Sequence, residues 1–120
     1  MIFINELMKT ISEWSKDPIE DEWLFEKFRK RFVSTMNPPE AFQTINDTIS
    51  ILIKLPDEST AIEVLQTIIN LAHQSNTTEI PQKLSEKKEE LANQFISMGD
   101  YAQNKLNELF KYYRMDGTNR

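Results

Sequence analysis

No stretch constrains the fold of this chain more than Ser59 to His73. At 100° per residue, Ala61, Ile62, Val64, Leu65, Ile68, Ile69, Leu71 and Ala72 cover about half of a helix circumference, wider than the roughly 100° apolar stripe of a surface helix. Such a helix has to touch neighbours on two sides. Only Glu63, Gln66, Thr67 and Asn70 fall opposite, so a narrow polar strip is left for water and the remaining segments are expected to pack around this one.

The rest of the chain reads as helices separated by clear punctuation. Phe3, Ile4, Leu7, Met8, Ile11 and Trp14 recur at helical spacing over about Ile2 to Ser15. Asp17-Pro18-Ile19-Glu20 then offers an N-cap acceptor, a proline at the first helical position and a carboxylate that can reach back to the cap, so a second helix is expected to start there. Its face is Leu24, Phe25, Phe28, Phe32, Thr35 and Met36, with acids in the first turn and Lys27, Arg29, Lys30 and Arg31 later, which suits the helix dipole. Asn37-Pro38-Pro39-Glu40 repeats the start signal for a third helix facing inward with Phe42, Ile45, Ile49, Leu52 and Ile53. Leu55-Pro56-Asp57-Glu58 turns into the central helix. After the polar run Gln74 to Glu79, Pro81 opens a fifth helix with Leu84, Leu91, Phe95 and Met98 inside, although Lys88 interrupts that stripe. Met98-Gly99-Asp100 reads as a stop and a cap, with Gln103 completing a capping box, and a sixth helix runs from Tyr101 to about Arg114 through Ala102, Leu106, Leu109, Phe110 and Tyr113. The expected fold is therefore all-α, five or six antiparallel helices arranged as helical hairpins, in one domain over residues 1–115 with a frayed tail at 116–120. The sixth helix depends on the break at Gly99.

At 120 residues the chain can bury a core without covalent staples. It has no cysteine, which removes disulfides, thiolate nucleophiles and cysteine-held metals. The N-terminus lacks the basic start of a secretory signal and no apolar run approaches the roughly 20 residues of a membrane span, so a cytoplasmic protein is expected. Its two glycines, Gly99 and Gly117, are too few for phosphate loops or nucleophile elbows. The formal charge of −5 is uneven: residues 1–39 carry −1, residues 40–80 carry −5 and residues 81–120 carry +1. An acidic middle third favours a basic partner.

The turn residues recur. Asp17, Asp57 and Asp100 are spaced 40 and 43 apart, and Asn37 and Thr77 are again 40 apart, the length scale of stacked helix pairs. Met98-Gly99-Asp100-Tyr101-Ala102, followed by Leu106-Asn107-Glu108-Leu109-Phe110, resembles the turn and second helix of a HEAT-type repeat. That resemblance covers about a tenth of the chain and implies a short curved stack of hairpins that binds another protein and does not catalyse.

Candidate functional residues follow from what remains. The lone His73 ends the central helix, where a cation complements the dipole; as a base it would need a nucleophile or an orienting acid. Glu20, Asp21, Glu22 and Glu26, like Glu86, Glu89 and Glu90, read as solvated helix faces, because neither a calcium loop nor a paired Glu-x-x-His pattern is present. No cofactor or metal is expected. Trp23 lies opposite Phe28 and Phe32, so it either folds back over Trp14, the ordinary outcome for so large an apolar ring, or stands exposed as an interface anchor. The leading expectation is a non-enzymatic protein-binding module, such as a small acidic inhibitor or immunity-type protein, contacting a basic partner through Trp23, Asp47, Asp57, Glu58 and Glu63. A homo-oligomer is compatible with the same features. The alternative is a nucleic-acid-associated regulator using Lys27, Arg29, Lys30 and Arg31 with Phe28 and Phe32. An enzyme built from scattered carboxylates, tyrosines and His73 is a third reading, and it would require a polar concave pocket.

Overall fold

Seven α-helices and one π-helical turn make up the regular structure, with no strand among the described residues. The structure is a computed structural model that describes residues 2–16 and 23–115. The helix start expected at Asp17-Pro18 and the tail at 116–120 lie outside them. In chain order the helices are α1 (Ile2–Lys16), α2 (Leu24–Phe28) running into a π turn (Arg29–Val33), α3 (Pro38–Leu52), α4 (Glu58–Ser75), α5 (Gln82–Glu86), α6 (Lys88–Ile96) and α7 (Asp100–Tyr112). No helix is long and apolar enough to cross a membrane among these residues.

The hub is α4. Thr60, Ala61, Val64, Leu65, Thr67, Ile68, Ile69, Leu71, Ala72 and Ser75 are all buried, and the helix touches α1, α3, the π turn and α7. Its start is set by Asp57, whose carboxylate accepts from the Thr60 backbone N–H and hydroxyl at 2.9 Å each. Its end is Asn76 in the left-handed conformation (φ 54°), which asparagine tolerates better than most residues. Asn37 caps α3 by accepting from the Glu40 N–H at 2.9 Å, with Pro38 and Pro39 in the first turn, as the sequence pattern predicts.

Two features depart from the expected helices, and the first raises their number from six to seven. The fifth helix breaks at Lys87 (φ −105°, ψ 12°) into α5 and α6. Unbroken, it would carry Lys88 on the stripe of Leu84 and Leu91; the break lets Leu84 and Leu91 both bury fully while the Lys88 ammonium lies 5.7 Å from the centre of the Phe110 ring at the surface. The cap of α5 comes from outside the helix, since the Asn46 side chain of α3 accepts from the Lys83 N–H at 2.9 Å. Asn46→Ala should therefore behave like loss of an N-cap, lowering stability by about 1 kcal/mol in urea unfolding, with Asn46→Asp retaining most of it.

The second deviation changes which residues of the second helix face inward. At the π turn the Ser34 N–H donates to the Arg29 carbonyl at 3.2 Å, five residues back. This wider turn carries the inward face from Phe25 and Phe28 to Val33 and Met36, leaving Phe32 half-buried and Thr35 exposed. Phe32 and Phe42, both expected in the core, are only partly covered, whereas Phe28, Phe95 and Phe110 are buried.

At the other end, Gly99 (φ 104°) separates α6 from α7 and is itself the N-cap; Asp100 is the first helical residue and makes no side-chain cap bond. α7 closes with Arg114 in the left-handed region (φ 59°), the Met115 N–H donating to Phe110 O at 2.7 Å and the Arg114 N–H to Lys111 O at 3.1 Å, which is a Schellman closure. Beside it Tyr113 is 3 % exposed and its hydroxyl has no hydrogen-bond partner among the described residues. Burial pushes that hydroxyl's pKa well above the ordinary phenol range, with the neighbouring Tyr112 adding to the effect. Because the native state holds the proton more tightly, stability is fully present below about pH 10 and falls as pH rises through the ordinary tyrosine range, where the unfolded chain ionises first. Tyr113→Phe should remove that alkaline loss and, by deleting an unsatisfied buried hydroxyl, raise neutral-pH stability by about 1 kcal/mol; denaturant curves at neutral and alkaline pH check both.

Candidate functional site

The polar strip of α4 is narrower than its sequence suggests because one edge of it is covered. Arg29, whose side chain is 13 % exposed, donates from Nη1 to the Glu63 carboxylate at 3.1 Å, to the Glu63 carbonyl at 3.2 Å and to Thr67 Oγ1 at 3.5 Å. Thr67 is consequently buried, although its position in the helical period places it on the polar side. Two turns further on, Gln74 Nε2 donates to the carbonyls of Met36 (2.6 Å) and Ser34 (3.4 Å), tying the C-terminal end of α4 to the chain leaving the π turn. From the α7 side, the Tyr112 ring stacks on His73 at 5.0 Å and its hydroxyl donates to the carbonyls of Ala72 (3.1 Å) and Thr77 (3.2 Å).

Between these contacts lies an open groove of about 400 Å³. Glu26, Arg29, Lys30 and Ser34 form one wall, Asn70, His73 and Gln74 the other, and the buried Val33 lies at its base. It is the polar concavity that a site on this chain would need. His73 is exposed and makes no hydrogen bond to a carboxylate or hydroxyl among the described residues, so nothing there orients it as a general base. No group of three metal-ligating side chains occurs among the described residues.

The structure distributes the expected contact residues over several places. Trp23 is 57 % exposed at the start of α2, while Trp14 takes the packed position, edge-on to Phe25 at 5.3 Å and donating to Ser59 Oγ at 3.3 Å. Burial of Trp23, the ordinary outcome for such a ring, does not occur. Asp47 is exposed on α3, on the same stripe as Glu40, and Glu58 is exposed in the first turn of α4. Asp57 is occupied by its capping bonds and Glu63 by Arg29. Of the basic cluster, Arg29 turns inward, Lys30 lies 3.7 Å from Glu26 and Arg31 sits 5.1 Å from the Phe32 ring centre. The groove itself escaped sequence reasoning: Asn70, His73 and Gln74 carry no motif, and the walls are brought together by contacts between distant residues, Arg29 with Glu63 and Gln74 with the Ser34 and Met36 carbonyls.

Family models, curated proteins and solved structures yield no match to this chain.

Proposed function

We propose that the chain is a non-enzymatic protein-binding module, a small inhibitor or immunity-type protein, that engages a basic partner through its acidic middle segment. The observation that carries this reading is that Glu40, Asp47 and Glu58 are exposed and form no ion pair among the described residues. Three acids elsewhere are matched by a lysine three or four residues away, Glu26 with Lys30, Glu90 with Lys87 and Glu108 with Lys105. Unmatched surface acids speed encounter with a basic partner and reject acidic ones. Contacts between consecutive helices, α1 with α2, α3 with α4 and α6 with α7, support reading the fold as antiparallel hairpins stacked in the HEAT-like manner. Trp23 supplies an exposed aromatic anchor. The nucleic-acid reading loses support from Arg29, which spends its charge on Glu63.

Affinity capture from native lysate tests the proposal. The wild-type chain should retain one stoichiometric basic protein, and reversal of Glu40, Asp47 and Glu58 to lysine should abolish retention, with Lys54→Glu leaving it intact or stronger. Asp57 and Glu63 are avoided because their carboxylates hold the fold. Retention unchanged by the triple reversal would overturn the acidic-surface reading.

A further inference from the structure

The groove between the π turn and α4 belongs to a different face from the acids of α3. Its α4 wall is donor-rich. The Asn70 carboxamide oxygen is taken by Gln66 Nε2 at 2.7 Å, which leaves the Asn70 amide hydrogens to point elsewhere. Gln74 spends its amide on the Met36 and Ser34 carbonyls, and the imidazole of His73 lies against the tilted Tyr112 ring and makes no hydrogen bond among the described residues. No carboxylate lines this wall, since Glu63 is turned to Arg29. Across the groove Lys30 is held by Glu26 only at 3.7 Å, both side chains being well exposed, a pairing worth little and easily exchanged for a better anion.

We propose that this groove binds a phosphate group between Lys30, His73 and the Asn70 amide. Donors on two different elements converge on one volume, which suits the three oxygens of a phosphate better than the two of a carboxylate. The volume of about 400 Å³ exceeds what the phosphate alone fills, leaving room above Val33 for the carbon skeleton of a phosphate monoester. The charged and titratable groups facing His73 are Glu26, Arg29 and Lys30 across the groove and Tyr112 beside it. Arg29 is matched by Glu63, so Lys30, only loosely paired with Glu26, supplies the cation for the phosphate.

His73 is the chain's one histidine, and its imidazole proton resonances are therefore a unique reporter. Titration of the full chain at constant ionic strength with inorganic phosphate, O-phosphoserine and acetate should give saturable shifts for the two phosphates and none for acetate. Lys30→Ala and Asn70→Leu should each abolish saturation, and Glu26→Gln should tighten binding about threefold or more by removing the one carboxylate in the groove. Tighter binding of phosphoserine identifies an ester as the ligand; equal binding identifies free phosphate. Linear, unsaturated shifts, equal response to acetate, or saturation surviving both Lys30→Ala and Asn70→Leu would overturn the proposal.

Discussion

Leu65→Ala is expected to destabilise the protein by about 3 kcal/mol, the largest single loss anticipated for any aliphatic truncation here. Leu65 is fully buried on α4, the helix that α1, α3, the π turn and α7 all contact. A cavity in a hub collapses poorly, because closing it requires helices on several sides to move together. For a chain of this length the loss corresponds to a fall of roughly 10 °C in melting temperature. Thermal and urea unfolding should report it, and Leu65→Met should lose less than half as much, since volume is nearly kept. An alanine variant within 1 kcal/mol of wild type would mean that α4 is not the packing centre.

Arg29→Ala is expected to cost about 2 kcal/mol, and the loss should be specific to its pairing with Glu63. One guanidinium nitrogen serves a carboxylate, a carbonyl and a hydroxyl on α4, in a setting where Arg29 is 13 % and Glu63 29 % exposed. Without it, Glu63 loses its counter-charge and buried Thr67 loses a donor. A double-mutant cycle with Glu63→Gln should give a coupling of about 1 kcal/mol, and Arg29→Lys should restore only part, because the shorter lysine stem leaves its ammonium short of the position that Nη1 occupies. Additive losses in that cycle would show that the pair holds nothing together. Because Arg29 also forms one wall of the groove, phosphate titration should weaken in the same variant, in step with the loosened π turn.

Most of the helices could be read from the sequence because their signals agree. Asn37 and Asp57 are strong N-caps, Gly99 is a strong stop, and the apolar period of Ser59 to His73 admits no other element. The π turn could not be read in this way. Phe32 and Val33 are adjacent and both apolar, so a 3.6-residue period selects Phe32 and Thr35 together with Met36; Met36 is buried as expected, and only the five-residue hydrogen bond from Ser34 to Arg29 reveals that Val33 takes the inward position in place of Phe32 and Thr35. The break at Lys87 had a visible cause in Lys88 but an unreadable outcome, since a buried lysine can be avoided either by a kink or by rotating the whole helix. Charge alone singles out the expected contact residues, and charge does not disclose occupancy: Asp57 and Glu63 are engaged inside the protein, while Glu40, outside the expected set, is exposed on the same stripe as Asp47. The groove needed the tertiary contact of Arg29, which no local pattern contains.

The position of the hub along the chain also governs how the protein must be made. α4 begins at Glu58 and ends at Ser75, so Phe3, Leu7, Phe25 and Phe28 leave the ribosome well before the helix that covers them. At about 5–20 residues per second, and allowing for the stretch still held in the exit tunnel, that apolar surface stays open for several seconds. Until residue 75 emerges the nascent N-terminal half has nothing to cover those side chains, and a truncation before that point should yield an aggregating fragment and not a smaller folded protein.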